Sequence, residues 1–381
     1  MISDPCYLSY GEVMRVTMSD SNHLQSLLLS GKSVEAICEE WGIKAKRHPI
    51  YSNLVLFCYD QYNVVAGKVS DQARGHILDE SNGWSYVCRP FDRFFNLGES
   101  RAHKVNLTTA KLFKKLDGSL ANMWWYKGAW HMSTKGSPDG SGSTHSGSDV
   151  IFSDLFWNTF KKCGCVFPGE EWKDYTFVFE LTTPKNVVVC RQTSDCLTLI
   201  AVRNNLTGYE IELDDPILLT LTFNKCDSFY MSNPNKEMFE GISGYDLEGY
   251  IVTNFHNGVY SRVKLKNPDY VALHNSVVTF PTKRNIITTI LKGEKEEYVL
   301  SFPHYKDFIE EVDCQLLSFI YNLEAEWCKV SHITDRKSLA KTVFGGGFNH
   351  GTHIMNMYGL GVSARTYVLQ LGMETIYQLL K

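Results

Sequence analysis

"KLDGSLANMWWYKGAWHMSTKGS", residues 115–137, holds two short segments on either side of a Lys-Gly pair. "LANMWWY" and "AWHMSTK" are rich in aromatic and apolar residues, and the two-residue break between them suits a β-hairpin. The hairpin begins at Lys115, two residues before Asp-Gly, and Lys135 stands beyond its far strand. A surface lysine needs no such setting. The chain on both sides is therefore read for partners of a reactive amine.

Outward from the hairpin, short β-branched or aromatic segments recur. They are "NLVLFCYD" (53–60), "RGHILDE" (74–80), "WSYVCRP" (84–90), "YTFVFEL" (175–181), "NVVVC" (186–190), "LTLIAVR" (197–203), "EGYIVTN" (248–254) and "YSRVKLK" (260–266). Each is expected to form a strand. Helical spacing predicts one or two helices over 22–42 and an amphipathic helix over 149–164. From about 285 the period becomes helical: Phe308, Val312, Leu316, Phe319, Ile320, Leu323 and Trp327 follow one long helix, and a last helix is expected over roughly 364–381. The fold expected is α+β, with a largely antiparallel domain over 1–284 and a small all-helical domain over 285–381. "SPDGSGSTHSGSD" (137–149) reads as a flexible loop and lacks the Gly-Lys-Ser/Thr of a P-loop.

The bulk properties set limits. The chain has 381 residues, 44% hydrophobic and 21% charged, which is globular composition and enough for two domains. A net charge of −4 means that any nucleic-acid contact comes from a local basic groove. The 11 cysteines are scattered, and Cys163 and Cys165 lack the second pair of a zinc site. An odd count argues against a disulfide framework, and the start "MISDPCYLSYGEV" lacks the features of a signal peptide. A reducing, cytoplasmic setting is expected, with no membrane span, and the sequons at Asn106 and Asn205 are read as chance matches.

A lysine that attacks phosphorus must lose its proton, and neighbouring cations or partial burial would lower its pKa. Gly118, with no Cβ, would let the turn at Asp117 pass close beneath a nucleotide. In "YTFVFEL", alternation sets Glu180 on the face opposite Phe177, Phe179 and Leu181, where a carboxylate could accept from a ribose hydroxyl or simply meet water. "VKLK" puts the ammoniums of Lys264 and Lys266 on one strand face, where a polyphosphate would relieve their repulsion. Glu248 opens "EGYIV" beside a glycine, a place compatible with a lysine or metal-water contact. Any one of these motifs is also ordinary on a solvated turn or sheet face.

Taken in order, Lys-x-Asp-Gly, Phe-Glu, Glu-Gly and Lys-x-Lys resemble the covalent nucleotidyltransferases, that is, polynucleotide ligases and mRNA capping enzymes. The longer strings "ARGHILDE", "CRPFDRFFNLGE", "KLDGSL", "KGS", "VFELTTPKN", "EGYIV" and "VKLKNPDYVALH" are similar to the tRNA-repair RNA ligases of T-even phages, from roughly Asn53 to His274. The resemblance implies an ATP-grasp-like ligase domain and an ATP-dependent RNA ligase. Lys115 would be the adenylated nucleophile. Tyr59, Arg74, Lys135, Glu180, Glu248, Lys264 and Lys266 would contact ATP, with Asp117 and Gly118 from the lysine motif, and Tyr270 would be a functional tyrosine. It implies Mg2+ or Mn2+, an RNA substrate with 5′-phosphate and 3′-hydroxyl ends such as a nicked tRNA, and a polynucleotide kinase-phosphatase as functional partner. A phage-encoded chain would work in the host cytoplasm.

The chain departs from the family in two places. Arg93 stands where the family has a lysine, which keeps the charge and changes the geometry. The family's metal-site acid would fall near Glu296 in "KGEKEEY", with Glu294 and Glu297 close by. DNA ligases and capping enzymes usually continue into a β-rich domain, so the helical pattern after 285 favours RNA ligase. A catalytically inactive RNA-binding relative would not need all of Lys115, Glu180, Glu248, Lys264 and Lys266. "FGGGFNHGTHIMNMYGLG" (344–361), with His350 and His353, reads as a structural or RNA-contacting loop, and Trp124, Trp125, Tyr126 and Trp130 read as core.

Overall fold

The structure, a computed structural model, describes residues 23–59, 64–142, 150–185, 188–276, 282–291, 293–302, 305–371 and 373–380. The chain divides into two units, the first ending at Leu273 and the second beginning at His274, upstream of the 284/285 break read from the sequence. No helix among the described residues is long and apolar enough to cross a membrane.

The first unit opens with helices His23–Leu29 and Val34–Trp41. Strands β1 (Ile43–Arg47), β2 (Leu54–Tyr59), β3 (Arg74–Asp79) and β4 (Ser85–Cys88) follow and pair antiparallel in that order. Then come β5 (Lys111–Lys115), β6 (Ser119–Tyr126), β7 (Ala129–Thr134), β8 (Tyr175–Thr182), β9 (Cys196–Asn204), β10 (Glu210–Ile211), β11 (Asn224–Lys225), β12 (Ser228–Tyr230), β13 (Gly249–His256) and β14 (Val259–Lys266). They build two further sheets, β10-β9-β8-β6-β7 with β11 parallel to β9, and β12-β5-β13-β14.

The hairpin is β6–β7, with Trp125 opposite Trp130 and Tyr126 opposite Ala129. Its turn residues Lys127 and Gly128 have φ of 47° and 82°, the double positive φ that matches strand twist in a two-residue turn. Trp124 is fully buried, and Trp130 and Tyr126 pack against core clusters, whereas Trp125 is half-buried against Trp130 at the hairpin end. Strand β8 is covered on both faces. Phe177, Phe179 and Leu181 meet Phe156, Phe160 and Leu155 of helix Phe152–Lys162, while Val178 packs with Phe91, Phe94 and Ala201. Burial on both sides explains its nearly unbroken apolar run.

Three expectations need correction. Residues 188–190 of "NVVVC" are not a strand, and 186–187 lie outside the described residues. The backbone N–H groups of Val189 and Cys190 donate to the Asp117 carboxylate instead of a ladder. In the second unit, helix Lys306–Val330 buries Ile309, Val312, Leu316, Leu323 and Val330, whereas Phe308 is exposed. The last helix is two, Ala364–Gln370 and Met373–Leu379, with the break at Leu371, whose backbone is extended. Of the Ser/Gly loop, 143–149 lie outside the described residues.

Candidate active site

Lys115 is the last residue of β5 and Ser119 the first of β6, so the chain passes from one sheet to the other through Leu116, Asp117 and Gly118. Register then sets its neighbours. Lys115 lies opposite Gly249, and Gly249 lies opposite Lys266, a row across three strands. A Cβ on Gly249 would stand 2.3 Å from the Leu265 carbonyl oxygen, so glycine lets the strands close at this row. Glu248, one residue before, is 4% exposed, and its Oε1 lies 2.6 Å from Lys115 Nζ and 3.8 Å from Lys266 Nζ.

Between the sheets lies a cavity of about 170 Å³, open to solvent, lined by Arg74, Phe91, Phe94, Phe113, Lys115, Leu120, Glu180, Ile251 and Lys264 among others. Its apolar lining suits a base, and its open mouth leaves room for phosphates outside. Glu180 faces it because its strand neighbours Phe179 and Leu181 point into the core. The Glu180 Oε1 accepts from the Gly118 N–H at 3.1 Å. Burial, with Glu248 adding to it against Lys115 and Arg74, pushes the Glu180 carboxyl up to about 7.

The electrostatics at Lys115 oppose the simplest expectation. Burial lowers its pKa, but Glu248, Glu180 and Asp117 outweigh burial and hold the amine above its usual value. Without nucleotide the lysine is a firmly held ammonium. Farther along, Tyr59, Arg74, Arg93 and Lys135 form a cationic cluster. Lys135 Nζ and Arg93 Cζ lie 4.1 and 4.7 Å from the Tyr59 ring centroid. Burial raises the Tyr59 phenol, but Lys135, Arg74 and Arg93 together bring it below its ordinary pKa. Arg74 lies over Phe91 at 4.6 Å, and its Nη1 is buried with no hydrogen-bond partner among the described residues. A buried donor facing a cavity suits an anionic ligand.

Asp117 and Tyr270 do different work from that expected. The Asp117 carboxylate, 6% exposed, accepts from Val189 N–H at 2.8 Å, Cys190 N–H at 2.6 Å and Tyr270 Oη–H at 2.8 Å. It is thus fully engaged in tying loop 188–192 and helix Pro268–Ser276 to the lysine turn. Gly118 is needed by the protein itself: a Cβ there would meet the Leu181 carbonyl oxygen at 2.4 Å. Glu296 sits exposed on helix Lys295–Ser301 of the second unit, outside this set of first-unit residues.

Sequence reading missed Arg262, which lines the cavity, forks onto Glu210 at 2.7 and 2.5 Å and is flanked by Phe91 and Tyr260. The signal was there, since alternation in "YSRVKLK" puts Arg262 on the same face as Lys264 and Lys266. The 344–361 stretch, read as a loop, is helical over Gly351–Leu360, and only 346–350 link it to helix Arg336–Gly345. Its Asn349 and His350 N–H groups donate to Glu326, and His353 Nδ1 is 3.0 Å from Tyr367 Oη. Among the described residues, no three His, Cys, Asp or Glu side chains are grouped to hold a metal ion.

A lysine ringed by carboxylates thus stands at the seam of two largely antiparallel sheets, beside a cavity with cations at its wall. Residues 72–270, more than half of the chain, match the family model described as RNA ligase, and the chain belongs to that family. It is 27% identical to the RNA ligase of Rhodothermus phage RM378, over 73% of this chain and 76% of that one. It is 28% identical to a protein of Autographa californica nuclear polyhedrosis virus described as a bifunctional polynucleotide kinase/RNA ligase, over 76% of this chain. The match spans only 43% of that viral protein. Among solved structures, an archaeal ATP-dependent RNA ligase superposes with a TM-score of 0.47 at 9% identity, covering 84% of this chain and 83% of the other.

Proposed function

We propose that the chain is an ATP-dependent RNA ligase that works through a lysyl-AMP intermediate on Lys115. The observation that carries this reading is the 2.6 Å approach of Glu248 to Lys115 at the cavity wall, with Lys266 on the same carboxylate. Glu248 is the nearest base to the amine, so it is the group placed to hold the proton the lysine must shed. The neutral amine attacks the α-phosphorus of ATP, the N–P bond forms, and pyrophosphate leaves. Lys264, Lys266, Arg74, Arg93 and Lys135 stabilise the charge that develops on the phosphates, and Tyr59 braces the last two. Glu180 accepts from the ribose. An RNA 5′-phosphate oxygen then attacks the lysine-bound phosphorus and takes the AMP, the lysine leaving as the amine. A 3′-hydroxyl finally attacks the adenylated 5′-phosphate, and AMP departs.

The residues fit Mg2+ or Mn2+ carried in with ATP. Such an ion commonly takes one or two carboxylates and completes its shell with phosphates and water, and the nearly buried Glu248 offers one. When bound, the ion supplies charge neutralisation at the leaving pyrophosphate. The substrate proposed is RNA with 5′-phosphate and 3′-hydroxyl ends, a nicked tRNA in the first instance, worked on in the cytoplasm. The partner proposed to prepare those ends is a polynucleotide kinase-phosphatase, and the kinase/ligase description of the viral relative supports its kinase half.

Incubation with α-labelled ATP and Mg2+, followed by denaturing electrophoresis, tests the reading. A protein-bound label that 5′-phosphorylated RNA discharges, and DNA does not, is the expected result. If no nucleotide labels the protein after pyrophosphate has stripped any bound AMP, the chain is not a ligase.

A further inference from the structure

The Asp117 tether brings a second pair of side chains to the lysine turn. Cys190 is fixed by its N–H to Asp117 at 2.6 Å, and its thiol donates to the Gly244 carbonyl at 3.5 Å. Arg191 follows at once. Its N–H donates to the Tyr245 carbonyl at 2.9 Å, and its guanidinium lies 4.9 Å from the Tyr245 ring centroid. Tyr245 stands three residues before Glu248, the carboxylate on Lys115. The pair is thus tied to the nucleophile from both sides, through Asp117 and through Glu248.

Arg191 is exposed and Tyr245 is 40% exposed. Arg191 does not line the cavity that would take ATP. Among the described residues its guanidinium has a ring contact and no salt bridge, and the exposed side chain is open to a ligand. A planar fork in that state matches a terminal phosphate dianion better than an internal phosphodiester, which carries a single charge. Tyr270 holds the other oxygen of Asp117, and Lys266, whose Nζ is 5.9 Å from the Tyr270 ring, is a further cation near that hub.

We propose that Arg191, held by Tyr245, receives the 5′-terminal phosphate of the RNA strand that discharges the lysyl-AMP. The proposal rests on the ligase reading above and assigns the RNA end within that site. Its test uses the full chain and separates the half-reactions. Wild type, Arg191→Ala, Arg191→Lys and Tyr245→Ala are first labelled with α-labelled ATP without RNA, which also shows that each is folded. The AMP is then chased with increasing 5′-phosphorylated oligoribonucleotide. Sealing of chemically pre-adenylated RNA is followed separately without ATP.

Arg191→Ala is expected to label like wild type but to need roughly tenfold more RNA for half-maximal discharge, the usual scale for losing a charged hydrogen bond. Arg191→Lys should fall between the two, and Tyr245→Ala should shift several-fold in the same direction. Sealing of pre-adenylated RNA, whose 5′-phosphate is already masked, should change less. Discharge of Arg191→Ala at wild-type RNA concentrations overturns the proposal. Equal loss with phosphorylated and pre-adenylated RNA overturns the assignment to the terminal phosphate. Failure of the wild type to label at all overturns the ligase reading instead.

Discussion

Removing the Asp117 carboxylate should damage the protein more than its position on a turn would suggest. Three donors converge on it, the N–H groups of Val189 and Cys190 and the Tyr270 hydroxyl, at 2.6–2.8 Å. The Tyr270 phenol is held far above its ordinary pKa, first by burial and then by Glu248 and Asp117, so it donates at every working pH. Asp117→Ala leaves all three without an acceptor. A buried group left unsatisfied costs about 1–3 kcal/mol, so with some water entering the gap the total is about 3–5 kcal/mol. Asp117→Asn keeps one oxygen for the two N–H groups and turns its amide toward the phenol oxygen. It loses the charge assistance alone, about 1–2 kcal/mol. Tyr270→Phe removes one of the three bonds and should cost about 1–2 kcal/mol, without adding fully to the Asn change because the two groups share a bond. Urea unfolding of the four proteins gives the ranking, and hydrogen exchange at Val189 and Cys190 gives the local effect. If Asp117→Ala unfolds at the wild-type urea concentration, or those amides keep their protection, Asp117 is not the hub described.

Lys115→Ala should abolish enzyme-AMP while leaving the circular-dichroism spectrum unchanged, and any label on the purified variant refutes the nucleophile. Gly118→Ala places a methyl 2.4 Å from the Leu181 carbonyl oxygen and 2.9 Å from Thr182 Cγ2. It should cost about 1–3 kcal/mol by overpacking, so an unshifted melting temperature would show that the turn can give way. Glu180 titrates near 7 in the folded chain against 4.5 unfolded, so its favourable share of stability is complete below about pH 4.5 and is lost as pH rises through 7. Relative to wild type, Glu180→Gln should therefore gain on the order of 2–3 kcal/mol between pH 5 and pH 8, and a difference that stays constant with pH would refute the raised carboxyl. Deleting 285–381 should change the choice between a nicked tRNA loop and linear RNA more than self-adenylation, in a truncated chain that folds, and unchanged selectivity argues against it.

Much of the strand order was legible because burial writes itself into alternation and into apolar runs. β8 read correctly as a strand because both its faces are covered, and Glu180 stood out as the polar break in it. Local pattern failed where a distant group captured the backbone. Val188, Val189 and Cys190 have strand-like side chains, yet the Asp117 carboxylate takes two of their N–H groups. Helical spacing likewise chose Phe308 over Ile309 because both fit a stripe one residue apart, and only packing decides which turns inward.

The site residues were legible as residue types and not as roles. Lys-x-Asp-Gly was read with every member facing the nucleotide, and the structure splits the motif. Lys115 faces the cavity, Asp117 faces away into its own anchor, and Gly118 makes room for the backbone of β8. Such a division depends on which strands flank the turn, and spacing carries no record of that. The protonation of Lys115 followed the same logic. Neighbouring cations and partial burial were expected to lower its pKa. The nearer neighbours in space are acids, so the resting amine is protonated. The amine must therefore hand its proton to Glu248 before it can attack. That makes adenylation rates in Glu248→Gln informative: with the nearest proton acceptor gone the maximal rate should fall, and with the closest carboxylate gone the pH at which labelling becomes half-maximal should move down. If that pH stays where it is in the wild type, Glu248 is not what keeps the lysine charged, and the role proposed for the pair is wrong.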